Sequence, residues 1–437
     1  MNILYLHTHD TGRYIQPYGY TVPTPNLMSF ASKGTLFRQA FCAGPTCSPS
    51  RAALLTGMSP HSCGMTGLAH RGFQLNDYSK HLAAFLGRMD YETVLCGVQH
   101  EAPEDEMIGY KKIISADPDD GFSTWDETNA QNAAEYIMKE NNQPFFLSLG
   151  LHHTHRRFPD IDPGINPDYI QPPMPLYDTK ECREDMAAFM TSAMIADCYI
   201  GRVLDALRQS GKEDDTLIIF TTDHGIAFPR MKCNLYDAGI GVSLIIKYPG
   251  NPLKGKAVDT LVSQLDIYPT LCDLIQTEKP DWLQGCSLLP LFKGKSDQIR
   301  EEIFSEVNYH AAYEPMRCIR TQRYKLIRFY DEHDRYIPDN IDGSPSKNFV
   351  INYGFLEQKR DREMLFDLYL DPVERVNLID DEKYKAVYAD LSKRLKDWQL
   401  ATDDPILNGV VPKQVGANIN SFLPSSPGNG KDYFNNK

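Results

Sequence analysis

The sequence predicts an α/β protein: a mostly parallel sheet sandwiched by helices, followed by a smaller C-terminal α+β subdomain with an antiparallel sheet. Three observations carry this. Short apolar, β-branched runs alternate with longer helical patterns through the first 300 residues, the arrangement of a parallel sheet covered on both faces. Four of those runs end in Asp, His or both, and ligands of open α/β sheets bind beyond the carboxyl ends of the strands. After about residue 300 the texture changes to closely spaced strands. The division expected is 1–300 for the catalytic unit and 301–437 for the C-terminal subdomain.

Taken in order, Ile3 to Leu6 reads as a short buried strand running into His7-Thr8-His9-Asp10. Thr24-Pro25-Asn26 opens a helix with Thr24 as N-cap and Pro25 at the first position, stopped by Gly34. Tyr91 to Val98 is rich in β-formers and leads to Gln99-His100. Thr124 to Glu140 is helical. Pro144 to Leu151 is apolar and ends in His152-His153-Thr154-His155. Lys180 to Ser210 is a long helix stopped by Gly211. Thr216 to Thr222 is a strand ending in Asp223-His224-Gly225, and Gly241 to Tyr248 is another strand. Beyond 300, Glu302 to Asn308 and Arg317 to Tyr330 read as antiparallel strands, and Lys383 to Leu400 as the last amphipathic helix. Residues 331–362 form a polar insert that suits a lid, a specificity loop or an oligomer contact. The tail from about residue 408 is irregular.

Composition narrows the function classes. The 437 residues are 42% hydrophobic and 24% charged, ordinary globular usage, with a net charge of −13. An acidic surface argues against nucleic acid as a partner and makes long polyanions awkward ligands. No apolar run approaches the length of a membrane span. The ten cysteines are scattered without C-x-x-C pairs, which fits free thiols in a reducing compartment. With Met1 as the native start, the absence of a signal peptide pattern leads to the expectation of a cytoplasmic protein.

The chemistry-bearing segment is Cys47-Ser48-Pro49-Ser50-Arg51, followed by Leu54-Leu55-Thr56-Gly57. Arg51 falls one turn after Cys47 if Pro49 opens a helix. Carboxylates at strand ends, here Asp10 and Asp223, cost free energy unless they are paired or metal-bound.

This segment resembles the activation motif of the type I sulfatases, C-x-P-S-R, within the alkaline phosphatase superfamily. The resemblance implies that a formylglycine-generating maturation enzyme oxidises Cys47 to an aldehyde, whose hydrate is the nucleophile. It places one divalent cation, Ca²⁺ or Mn²⁺, on His9, Asp10, Asp223 and His224, with Cys47 completing the set. His9 stands where most members carry aspartate, and two imidazoles shift the preference from Ca²⁺ toward Mn²⁺, Zn²⁺ or Fe²⁺, which leaves the ion open between Ca²⁺ and Mn²⁺. His100 matches the histidine that contacts the diol, although Val98 replaces the lysine of that G-K-x-H motif. Arg71 is a candidate to compensate. His155 matches the general acid, with His153 as the fallback register, and Lys232 the second sulfate-binding lysine. Arg156, His70 and Arg71 are candidate specificity residues.

Gly225-Ile226-Ala227-Phe228-Pro229, Asn234-Leu235-Tyr236 and His155-Arg156 are similar to the heparan N-sulfatase (sulfamidase) branch. The implied function is hydrolysis of a sulfate ester or sulfamate, with a small sulfated sugar as substrate. Phosphonate monoester or phosphodiester hydrolysis with the same nucleophile is the alternative, and a non-catalytic metal- or sugar-binding relative is a third reading. No membrane partner is expected, and a homo-oligomer is left open.

Overall fold

The structure, a computed structural model, describes residues 1–117, 122–140 and 142–420. Its framework is an eight-stranded sheet of order β4-β3-β5-β1-β6-β7-β2-β8. The strands are β1 (Asn2–Thr8), β2 (Thr35–Phe41), β3 (Glu92–Gly97), β4 (Lys112–Ile113), β5 (Phe145–Gly150), β6 (Thr216–Thr222), β7 (Leu244–Lys247) and β8 (Lys256–Ser263). β1 lies at the centre, parallel to both β5 and β6. Only β7 runs antiparallel to its neighbours β6 and β2. The carboxyl ends of β3, β5, β1, β6 and β2 therefore meet along one edge.

The period-2 pleat splits the core. From β1, Ile3 and Tyr5 enter the cluster beneath α2 (Cys47–Thr56), α4 (Leu82–Gly87) and α8 (Ile267–Leu274). Leu4 and Leu6 face the opposite way, into the cluster beneath α1 (Pro25–Ala31), α5 (Phe122–Met138) and α6 (Lys180–Gln209). α6 is long and apolar enough in composition to cross a membrane, but most of its apolar stretch is buried inside the fold. Thr179 caps it through the Cys182 N–H, as its spacing requires.

The second sheet, β12-β11-β10-β9, is antiparallel: β9 (Glu302–Tyr309), β10 (Tyr313–Thr321), β11 (Tyr324–Phe329) and β12 (Glu363–Asp367). Ile319, Leu326 and Leu365 pack against Leu391 and Leu395 of α11 (Lys385–Ala401). Cys318, Ile327 and Phe366 on the other face join the main core with Phe37 and Phe41. The two sheets thus share one hydrophobic cluster across residue 300.

Some expectations change. Thr24 does not cap α1 with its side chain; its hydroxyl accepts from the Gln16 N–H at 2.9 Å, bracing the preceding loop. The strand expected over 241–248 is shorter, Leu244–Lys247, because residues 237–240 form a helical turn. β2 and β8 were not anticipated. The 331–362 insert holds α10 (Pro345–Asn352) between two 3-10 turns. The tail carries no helix or strand over 409–420, and the rest of it lies outside the described residues. All ten cysteines are free thiols, with Cys198 and Cys286 exposed.

Candidate active site

Cys47 is the first residue of α2, delivered by the loop that leaves β2. Every residue of α2 is buried, so the motif lies inside the molecule. Pro49 is tolerated because a first-turn N–H has no intrahelical partner. Burial pushes the Cys47 thiol up, out of the thiolate range at neutral pH. Unmodified, it is a poor nucleophile.

Arg51, 1% exposed, follows one turn later. Its guanidinium donates to Asp223 Oδ2 at 3.0 Å, to the Thr8 carbonyl at 3.2 Å and to His7 Nδ1. Because arginine only donates, His7 accepts at Nδ1 and carries its proton on Nε2, facing Ser148 Oγ at 3.4 Å. Burial, then Arg51, holds His7 neutral. His7 had no assigned role in the sequence; its place is to hold Arg51.

The two strand-end carboxylates lie together. The Asp10 N–H donates to Asp223 Oδ1 at 2.8 Å. Asp10 adopts φ 55° and His100 φ 65°, left-handed backbone uncommon outside glycine and typical of functional sites. Gly97 (φ 79°) makes the turn toward His100 possible; a Cβ there would lie 2.1 Å from the Gly150 carbonyl.

Asp10, Cys47, Asp223 and His224 each bring a ligand atom within 4.8 Å of the others, all buried. His224 Nδ1–H donates to the Gly225 carbonyl at 2.9 Å, which leaves Nε2 as a lone pair. That Nε2 is buried, has no hydrogen-bond partner among the described residues, and stands 3.3 Å from Asp10 Oδ1 and 3.7 Å from Asp223 Oδ2. An orphaned acceptor turned toward two carboxylates fits a divalent cation. Although burial pushes both carboxyls up, their neighbours hold them well below the usual range: Lys232 at Asp10, and the His224 ring with the Arg51 guanidinium at Asp223.

His9 occupies a second, overlapping group with Asp10, Cys47 and His155. Its Nδ1 is 2.9 Å from Asp10 Oδ1 and 3.1 Å from Asp223 Oδ2, and its Nε2 is 3.1 Å from His100 Nδ1. It links the carboxylates to His100.

The structure brings His155 to the centre, not His153. Asp126 of α5 accepts the backbone N–H groups of His152 and His153 and the His153 ring, tying His153 away. His155 Nε2 lies 3.4 Å from Lys232 Nζ. Lys232 is 4% exposed and also donates to Asp10 Oδ2 at 2.8 Å and Asp342 Oδ2 at 2.9 Å. Against the downward pull of burial, Asp10 and Asp342 keep its ammonium charged well above the usual range.

The specificity candidates divide. Arg156 forms a bidentate pair with Asp185 at 2.6 and 2.9 Å and donates to the Ala227 carbonyl, with Phe158 and Phe228 against its plane. Its fork is committed to bracing. His70 stands exposed at the rim, its ring 6.5 Å from His100. Arg71 reaches the Ala311 carbonyl at 3.4 Å and Asn420 Oδ1 at 3.3 Å. Val98 is buried on the Gly150 carbonyl, so Arg51 and Lys232 are the cations inside the site. Asp342, Asp126 and His7 escaped sequence reasoning. Asp342 lies in a polar insert without motif, and a helix-borne Asp126 looks like any solvated charge.

Known proteins share the sequence pattern and the fold of this chain. Residues 1–277 match the model of the Sulfatase family, and residues 224–347 that of the N-sulphoglucosamine sulphohydrolase C-terminal region. The chain is 28% identical to human N-sulphoglucosamine sulphohydrolase, covering 92% of this chain and 91% of that protein. It is also 28% identical to an ulvan-active sulfatase of Formosa agariphila, covering 92% and 75%. Among solved structures it superposes on a protein bound to its substrate D-glucosamine-2-N,6-O-disulfate with a TM-score of 0.72 at 19% identity, covering 92% and 98%. It superposes on the phosphonate monoester hydrolase of Agrobacterium radiobacter with a TM-score of 0.70 at 20% identity, covering 94% and 99%. With the Cys47–Arg51 helix set among paired carboxylates at the strand ends, and a family match over most of the chain, this protein belongs to the sulfatase family.

Proposed function

We propose that this chain hydrolyses the sulfate ester or sulfamate of a small sulfated sugar, with the nucleophile made from Cys47. The observation that carries this is the position of Cys47: at a helix start, within 4.8 Å of Asp10, Asp223 and His224 ligand atoms, and one turn from Arg51. As a thiol it is buried and protonated, so its placement makes chemical sense once oxidised to formylglycine by a maturation enzyme.

The donor set of Asp10, Asp223 and His224, with the group at position 47, would hold one divalent cation. Two carboxylates suit Ca²⁺, and the imidazole favours Mn²⁺. Bound there, the cation supplies positive charge, and the hydrated aldehyde a nucleophilic oxygen. The remaining work falls to the chain's own side chains. Arg51, locked by Asp223, Thr8 and His7, fixes a positive charge beside position 47. Lys232 presents an ammonium to a sulfate oxygen. Its neighbour His155 faces the leaving atom and moves a proton at Nε2. Burial keeps His100 neutral, ready to accept a proton from position 47.

The relatives that act on sulfated sugars support the substrate class, among them a Δ4,5-hexuronate-2-O-sulfatase of Bacteroides thetaiotaomicron. Val98 in place of a sulfate-binding lysine, together with the Asp223-His224 pair, favours the second reading, phosphonate monoester hydrolysis.

The test is mass spectrometry of the tryptic peptide Gln39–Arg51 after co-expression with a formylglycine-generating enzyme. A mass about 18 Da below the cysteine form marks the aldehyde. The same preparation is assayed on sulfated glucosamines, an aryl sulfate and an aryl phosphonate. Release of sulfate, abolished in Cys47→Ala and by chelation, is expected. An unmodified thiol, or activity surviving Cys47→Ala, would falsify the reading. Faster turnover of the phosphonate selects the second one.

A further inference from the structure

Asp342 pairs with Lys232, the proposed sulfate-binding ammonium, from a segment outside the sulfatase motifs. It sits between the 3-10 turn Pro338–Asn340 and α10, and neighbouring contacts hold that segment in place. Asn340 Oδ1 accepts from the Ala312 N–H at 2.9 Å, and its Nδ2 donates to Glu314 Oε2 at 2.9 Å. Lys347 Nζ donates to the Ile341 carbonyl at 2.7 Å, and Asn420 Nδ2 to Asp339 Oδ2 at 2.8 Å. Asp342 is thereby presented by a braced wall and not by a free loop.

Its carboxylate is 22% exposed. Among the described residues, Lys232 at 2.9 Å is its hydrogen-bond partner, through Oδ2 alone. Its Oδ1 therefore keeps lone-pair sites open to a ligand. The three donors of Lys232 point at Asp10, Asp342 and His155. An acid at this place opposes a second anion on the substrate and accepts from a hydroxyl or ammonium. His310 continues the wall. It precedes Ala311 and Ala312, which bond Arg71 and Asn340, and its buried Nδ1 has no hydrogen-bond partner among the described residues. Burial pushes His310 down to about 3, so it adds no positive charge to offset Asp342.

We propose that Asp342 is a specificity-determining residue: it accepts a hydroxyl or ammonium of the sugar being released, with His310 beside it, and rejects sugars carrying a second anionic group. This rests on the sulfatase reading above. Asp342 selects monosulfated sugars with free hydroxyl or amine groups over disulfated ones.

The test is calorimetric binding in the Cys47→Ala background, full chain, with and without Asp342→Asn. The probes are inorganic sulfate, glucosamine 2-N-sulfate, glucosamine 6-O-sulfate and the 2-N,6-O-disulfate. The Cys47→Ala protein is expected to bind the better monosulfated sugar about tenfold more tightly than the disulfate, and Asp342→Asn to reduce that ratio to about threefold or less. An unchanged ratio overturns the proposal. So does a loss of inorganic sulfate affinity equal to the loss on sugars, which would mean that Asp342 only braces Lys232. Failure of every variant to bind sulfate or any sugar sinks the sulfatase reading itself, a result distinct from sulfate binding with no selectivity.

Discussion

At the scale of single residues, the site is a set of charges held against the cost of burial. Asp10 and Asp223 are 0% and 3% exposed, and isolated carboxylates there would neutralise. Lys232, Arg51 and the adjacent imidazoles prevent that. His155 is in contact with Lys232, and in the proposed mechanism it is the group that faces the leaving atom. Protonation of the leaving atom matters most when that atom is a poor leaving group. His155→Ala should therefore cost about 10²–10⁴-fold in kcat/KM on a sugar sulfate and far less on a nitrophenyl sulfate. Equal losses on both would remove His155 from the proton-transfer role.

Next to His100, Glu101 is 1% exposed and its Oε2 has no hydrogen-bond partner among the described residues. Burial raises its carboxyl to about 8, against a downward pull from Arg51. Between about pH 4.5 and 8 the folded state then holds more protons at this position than the unfolded chain. Stability falls as pH rises through that window, by on the order of 3 kcal/mol at pH 7. Glu101→Gln should flatten this slope and raise stability at neutral pH. Urea unfolding at pH 5 and pH 8 decides the point, since parallel slopes for both proteins would contradict it.

At the scale of elements, strand ends aim the chemistry. β1, β5 and β6 were legible because each is a largely apolar or β-branched run leading into Asp or His. β2 was not, although it leads to Cys47. In Thr35-Leu36-Phe37-Arg38-Gln39-Ala40-Phe41 the exposed Arg38 and half-buried Gln39 break the run, and the pairing to β8 is irregular there. The motif residues were legible through their chemistry. Asp342, His310 and Asp126 were not, because a lone polar residue in a polar segment or on a helix acquires meaning only from tertiary contact. Asp126 shows the point. One carboxylate of α5 accepts two consecutive N–H groups from the loop after β5, fixing the path that delivers His155. Asp126→Ala leaves both donors buried without an acceptor, at a cost of about 1–3 kcal/mol each before relaxation. It should lower kcat on sugar sulfates more than on aryl sulfates, the same signature as His155→Ala but weaker. A loss confined to thermal stability, with the substrate ratio unchanged, would make Asp126 a structural residue only.

At the scale of the whole molecule, the C-terminal subdomain is fastened to the catalytic sheet by shared apolar packing and by buried ionic clusters, among them Asp237 with Arg320 and Lys325, and a group around Arg317. Arg317 on β10 is 0% exposed and grips Asp404 with two donors at 2.7 and 2.8 Å. It lies 3.2 Å from Glu306 Oε2, and Glu306 in turn accepts from the N–H and ring of His61, in the helix that follows the Cys47 helix. The cluster thus ties residues 61, 306, 317 and 404 together. Such an arrangement adds little over a well-packed apolar one, yet removing one partner leaves uncompensated buried charge. Arg317→Met should destabilise by about 3–5 kcal/mol. Adding Glu306→Gln and Asp404→Asn should recover a large part of that loss, because the stranded charges are then gone. Because the core is continuous, unfolding should remain one transition, with activity and near-ultraviolet dichroism lost at the same urea concentration. If the C-terminal sheet instead melted first while the catalytic sheet stayed folded, the two would be separate units. Loss of Asp342 and His310 from the pocket wall would then precede loss of the strand-end carboxylates, and sugar selectivity would disappear before hydrolysis of a simple aryl sulfate.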